Sequence, residues 1–133
     1  MSWTIWYEKH ATGHSGMDRG HKELMALINR LADGMENNEQ KESCSNMLGQ
    51  FVERIGRHFL AEEEMMDRHH YPKTMEHKAL HASMLEDVLA FKRAYDTGGN
   101  AESVTLLVIL DSWLKRDMLD ADKELAKFVA TIG

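Results

Sequence analysis

The sequence predicts an all-α protein: an antiparallel up-down-up-down four-helix bundle with an N-terminal arm and a short C-terminal helix or turn. Three observations lead there. Apolar residues recur at alternating steps of three and four along four long segments, the spacing of one helix face. Short polar or Gly-rich breaks part the segments, and short connections favour antiparallel neighbours. Each segment also sets metal-ligand side chains on its apolar stripe, and an up-down arrangement brings them all to one end.

Residues 1–17 read as an irregular arm, with Trp3, Ile5, Trp6 and Tyr7 packing across the bundle. Asp18 is the expected N-cap of the first helix. That helix has the stripe Met17, His21, Leu24, Ile28, Leu31 and Met35, and the polar run 37–40 ends it. The second helix runs from about 41 to about 67, with Leu48, Phe51, Ile55, His58, Glu62 and Met65 in step. The third runs from about 72 to about 95. Pro72 suits a first helical turn, where a missing N–H costs nothing. Its stripe is His77, His81, Met84, Val88, Phe91 and Tyr95, and residues 96–100 form a strong stop. The fourth starts near 101, with Leu107, Leu110, Leu114, Asp117 and Ala121 in step. The bundle thus spans about 18–120, and a turn or short helix follows at 121–131.

Composition bounds the function. The 133 residues predict a single domain over 1–133, enough for one core. A net charge of −6 gives no basic patch, so nucleic acid is not an expected partner. No apolar run approaches a membrane span, and the N-terminus lacks a basic-then-apolar leader pattern. Cys44 is alone, so no internal disulfide forms; this fits a reducing cytosol, and a cytoplasmic location is expected. The ten methionines are read as core filling.

The polar stripe residues carry the chemistry. His21 lies at the start of its helix, His58 and Glu62 near the end of theirs, His77 and His81 near a start, and Asp117 and Asp122 near an end. Starts of odd helices and ends of even ones share one end of an up-down bundle, so all seven converge. Burying so many ionisable groups unpaired is very costly, and a pair of bound metal ions removes that cost. His58/Glu62 and His77/His81 are i,i+4 pairs on one face, able to reach one ion or adjacent ions. A lone His-x-x-x-His pair is weak support for a metal site; four contributions at one level are strong. Asp117/Asp122 is i,i+5, so the helix must end or distort there, or Asp122 must reach in from the flank. Imidazole and carboxylate without thiolate suit iron, manganese or zinc, and seven ligands exceed the need of one ion. Zinc is less suited, since structural zinc takes four closed ligands. No nucleophile–base pair or phosphate-binding loop stands out.

These segments resemble the hemerythrins, specifically the bacterial ones. The likeness rests on GHSGMDRGHKEL at 13–24 (Asp-x-x-His-x-x-Leu) and HFLAEEEMM at 58–66 (His-Phe-x-x-Glu-Glu). It continues in YPKTMEHKALH at 71–81 (Tyr-Pro, then His-x-x-x-His) and WLKRDMLDAD at 113–122 (Trp-Leu-x-x-His-x-x-x-x-Asp in the family). Myohemerythrin is itself a standard example of the up-down bundle, so the family likeness and the topology are not independent. The resemblance implies a non-haem di-iron centre, two iron ions with an oxo or hydroxo bridge, that binds O2 or another small diatomic reversibly. It implies that Glu62 and Asp122 bridge the irons, that His21 and His58 hold the iron that binds O2, and that His77 and His81 hold the other. The i,i+5 spacing is then the family's own.

One position departs: Asp117 stands where the family has a third histidine on the second iron, and His10, His14, His69 and His70 are not at that position. Asp117 can ligate as a carboxylate, favouring the ferric state and easier autoxidation. It can instead be too short, leaving water or a swung-in histidine such as His14 to fill the place. Or the second iron is weakly held, and the site is mononuclear or mostly empty. The expected function is O2 storage, delivery or sensing rather than catalysis. The alternative is a di-iron redox enzyme acting on peroxide, nitric oxide or O2, and a blander option is a module whose metal only holds the bundle together. Among other residues, Glu63 and Glu64 read as a solvated face or as support for a ligand, His69 and His70 as loop, Phe59 and Trp113 as site walls, and Met118 as core. Cys44, far from the metal end, reads as inert.

Overall fold

A computed structural model describes residues 10–36, 41–97, 112, 114–115 and 120–132. The arm aromatics and most of the expected fourth helix, with Leu107, Leu110, Trp113, Asp117 and Met118, lie outside the described residues. The described helices are α1 (Ser15–Glu36), α2 (Lys41–Arg68), α3 (Thr74–Asp96) and α4 (Asp122–Ile132). The architecture is an all-α four-helix bundle, and no strand occurs among the described residues. α1 packs on α2, and α2 on α3. The Ser45 hydroxyl, near the start of α2, donates to Asp96 at the end of α3 (2.5 Å), so these two helices run antiparallel.

The core follows the apolar stripes. Leu24, Ile28 and Leu31 of α1 meet Leu48, Phe51, Ile55 and Phe59 of α2 and Met84, Val88, Phe91 and Tyr95 of α3. Leu114, one of the helical residues ahead of α4, joins the same cluster. Removing each such side chain from water contributes about 1.5–3 kcal/mol. All six expected stripe residues of α3 are buried. On α2 the stripe runs on through Met66, which is fully buried, rather than Met65, which is half-buried. The physical reason is the step: Glu62 continues at i+4, keeping pace with a straight helix of 3.6 residues per turn.

The helix ends differ from expectation in two places. α1 begins at Ser15, so Asp18 lies in its first turn and is not the N-cap. His14 takes that role: its Nδ1 accepts the Met17 N–H at 3.2 Å, and its carbonyl accepts the Asp18 N–H at 3.0 Å. Asp18 instead ties down the incoming chain, its Oδ1 accepting the Thr12 N–H (2.9 Å) and hydroxyl (2.8 Å). Pro72 lies in the turn ahead of α3, whose N-cap is Lys73. Tyr71 provides the local stop, its carbonyl accepting both the Thr74 N–H (3.2 Å) and hydroxyl (2.6 Å).

At the other side of that connection, α2 closes through a left-handed residue. His70 has φ 52°, and the Tyr71 N–H donates back to the Met66 carbonyl at 3.0 Å. This is the bond pattern that glycine usually serves, because Cβ is disfavoured in the left-handed region. A second, smaller apolar cluster sits beside it: Met17, Met66 and Tyr71 against Leu125 and Ala126 of α4, with Phe128 packed on the Tyr71 ring at 5.1 Å. Among the described residues no helix is long and apolar enough to cross a membrane. The left-handed strain at His70 leads to a prediction. A His70→Gly variant is expected to gain about 1 kcal/mol, read as a rise of a few degrees in Tm; an unchanged or lower Tm counts against the strain.

Candidate metal centre

Four histidines and two carboxylates meet in one buried layer between the two apolar clusters. α1 contributes His21, one turn beyond Met17 and one before Leu24. α2 contributes His58 and Glu62, α3 His77 and His81, and α4 Asp122 from its first residue. The i,i+4 spacing puts each α2 and α3 pair on the core face, as the sequence requires. The expected irregularity before Asp122 is present as a wide π-type turn at residues 120–121, which resets the helix so that Asp122 points inward. Asp117 lies outside the described residues.

Each carboxylate serves both histidine pairs. Glu62 Oε2 stands 2.7 Å from His58 Nε2, while its Oε1 stands 3.0 Å from His81 Nε2 and 3.3 Å from His77 Nε2. Asp122 Oδ2 stands 2.6 Å from His21 Nε2, and its Oδ1 3.0 Å from His77 Nε2. Two overlapping ligand groups result: His21, His58, Glu62 and Asp122, and Glu62, His77, His81 and Asp122, with the donor atoms of each within 4.8 Å of one another. Two donors on opposite sides of one ion, at bonds of about 2.1 Å, lie about 4.2 Å apart. The donor separations between histidines and carboxylates, 2.6 to 4.0 Å, fall within that span. The donor set also fits on chemical grounds. His58 Nε2, His81 Nε2, both Glu62 oxygens and Asp122 Oδ1 are buried without a hydrogen bond of proper geometry, a costly arrangement for polar atoms that a cation would repay.

The electrostatics follow from that crowding. Burial lowers the pKa of His58 and of His77, but the carboxylates of Asp122 and Glu62 outweigh it and hold both at about 10. Burial and Asp122 push Glu62 up, yet His58, His77 and His81 bring it below its ordinary value. Burial likewise opposes ionisation of Asp122, and His21, His58 and His77 hold it well below the usual carboxylate range.

Neighbouring residues position the ligands. His81 Nδ1 bonds Glu63 Oε2 at 3.0 Å, which orients the ring with Nε2 facing the layer and makes it a stronger donor. Glu63 is therefore support for a ligand and not merely a solvated residue. Phe59 stacks flat on His81, with ring centres 3.9 Å apart and planes 6° apart, so it walls the site as expected. On the opposite side Gly20 leaves the space that His58 occupies: a Cβ there would stand 2.4 Å from His58 Nδ1. His14, engaged as the α1 cap, is not among the converging groups.

Residues 12–129 match the family model of the hemerythrin HHE cation binding domain. The chain belongs to the hemerythrin family. Among similar proteins, a hemerythrin-like protein of Naegleria gruberi is 26% identical over 117 residues, 88% of this chain and 86% of the relative. A bacteriohemerythrin of Stenotrophomonas maltophilia is 24% identical over 114 residues, 86% of this chain and 73% of the relative. The myohemerythrin of Theromyzon tessulatum is 31% identical over 87 residues, 65% of this chain and 67% of the relative. The cation-binding character of the hemerythrin domain agrees with the donor set described above.

Sequence reasoning missed Gly20. The available signal was a glycine inside a helix beside a ligand, where it costs about 1 kcal/mol relative to alanine and so implies a packing reason. Gly20→Ala is expected to displace the His58 ring and weaken metal binding roughly 10–100-fold, measured by chelator competition. Gly56→Ala, where nothing lies within 4 Å, serves as the control and should keep wild-type affinity.

The raised imidazoles and lowered carboxylates make a second prediction for this hemerythrin domain. In the metal-free protein the raised histidines contribute stability that is full below 6.5 and lost as pH climbs to about 10. The lowered carboxylates contribute stability present above about 4.5 and lost as pH falls. The contribution of the layer should therefore peak between those values. Metal loading should add stability that grows with pH, because the ligands must shed protons. Urea midpoints across pH, with and without chelator, test both; a flat metal-free profile from 6.5 to 10 would sink the assignment.

Proposed function

We propose that the chain is a non-haem di-iron protein that binds O2 reversibly, for storage, delivery or sensing. The observation that carries this reading is the division of each carboxylate between the two histidine pairs. Glu62 and Asp122 each turn one oxygen toward His21 and His58, and Glu62 Oε1 and Asp122 Oδ1 lie toward His77 and His81. On this reading Glu62 and Asp122 would hold both irons, His21 and His58 the one that would receive O2, and His77 and His81 its partner. When bound, iron supplies a reversible change of oxidation state and an open position for a diatomic ligand.

The chain's own residues do the rest. The four imidazoles, from three helices, would hold the ions, and Glu62 and Asp122, common to both ligand groups, would link them. Leu24, Met25, Ile55 and Phe59 on one side and Met17 and Met66 on the other keep bulk water from the layer. A dry pocket favours an apolar diatomic over charged ligands and slows loss of the reduced state. Asp117, standing at the family's third-histidine position, perturbs the second iron.

A second reading is a redox enzyme acting on peroxide, nitric oxide or O2. The substitution at Asp117 favours it, because replacing an imidazole by an anion or by an open position shifts that iron toward redox turnover.

Anaerobic loading with Fe(II), admission of O2 and purging with argon separate the two. A visible absorption band that appears with O2 and disappears on purging is expected. Direct conversion to a stable ferric spectrum, with turnover of peroxide or nitric oxide that is lost in His58→Ala, decides for the enzyme. Asp117→His is expected to slow autoxidation several-fold; unchanged metal content, spectrum and autoxidation would place residue 117 out of contact with iron.

A further inference from the structure

The metal layer is nearly closed: His21, Glu62, His77, His81 and Asp122 are each 4% exposed or less and the His58 side chain is 9% exposed, so a cation must be let in. A cleft of about 200 Å³ runs between the start of α3 and the start of α4. His77 forms part of its wall, and Ala121, which also lines it, immediately precedes Asp122. The cleft therefore touches both elements that bring ligands to one side of the layer. A cleft of that size has room for several waters and so for a small ion that keeps part of its hydration.

We propose that this cleft is the port through which a divalent cation enters and leaves the centre, held shut by the Lys73–Glu124 ion pair; the proposal rests on the metal-centre reading above. Lys73 Nζ lies 2.6 Å from Glu124 Oε1, joining the N-cap of α3 to the first turn of α4 across the cleft. Both side chains are about half exposed (52% and 51%), and such a pair is weak in water, as a closure that must open requires. Opening frees Glu124 to join Glu76, which also lines the cleft, so that two carboxylates face an arriving cation.

α4 is the element suited to move. It is 11 residues long and is kept in place by the smaller apolar cluster, Leu125, Ala126, Phe128 and Val129 against Met17, Met66 and Tyr71. Asp122 is its first residue, so displacing α4 withdraws a ligand and returning it closes that ligand onto the ion. One latch thus governs both the entrance and the last ligand to close.

The test uses the full chain stripped by chelator and mixed with Co(II), whose visible absorption changes as it leaves water. Lys73→Gln is expected to raise both the uptake rate and the rate of extraction by excess chelator roughly threefold or more, with the final stoichiometry unchanged. Glu76→Lys is expected to slow uptake and flatten its dependence on ionic strength. Both positions are exposed, and circular dichroism confirms that the variants fold. Faster release with unchanged uptake in Lys73→Gln marks a plain structural tie and overturns the port. Wild-type rates in both variants, with full loading, do the same. A wild-type chain that takes up no Co(II) overturns the metal centre itself, and the port with it.

Discussion

Burying four imidazoles and two carboxylates in one layer is the constraint on which the rest of this structure depends. Each buried charge, left alone, costs several kcal/mol even after the protein relaxes. The layer meets that cost by alternation: every carboxylate lies among imidazoles, and no imidazole lies far from a carboxylate. Without metal the compromise is protonic, with His58 and His77 holding protons well above neutrality. With metal, the same alternation would serve as a ligand set. Protons and cations therefore compete for one set of lone pairs, and pH, stability and metal loading are facets of one equilibrium.

The helices are arranged to serve that layer. The larger apolar cluster joins α1, α2 and α3 on one side of it, and the smaller one holds α4 on the other, so Asp122 arrives on an element packed separately from the rest. The two sides of the layer are built differently. His58 is pressed against the bare backbone of Gly20, a fit with no slack. His81 is held by Glu63 and by the face of Phe59, while its neighbour His77 borders a cleft.

Much of this was legible from periodicity. The α3 stripe, His77 through Tyr95, is legible residue for residue, because the burial of a helix inside a bundle follows its 3.6-residue turn with little room for exception. The convergence of His21, His58, Glu62, His77, His81 and Asp122 was legible too, because topology alone decides which helix ends share a level. Local chemistry was less so. Asp18 has the residue type of an N-cap, yet an imidazole from His14 does the capping, because Asp18 is drawn back to Thr12 by two hydrogen bonds. Glu63, one of three successive glutamates, looks solvated in a linear reading; only the position of His81, on another helix, gives it a partner.

The sequence by itself determined the helices, their order, the level of the site and the residue types that reach it, since these follow from local periodicity and from the shortness of the connections. Tertiary structure alone decided which carboxylate oxygen faces which histidine pair, that Gly20 must lack a side chain for His58 to fit, and that Lys73 and Glu124 close a cleft beside His77. Those facts are distances of a few ångströms between residues on different helices. They depend on how far each helix is rotated and shifted against its neighbours, which the packing of the two apolar clusters sets and no single segment encodes.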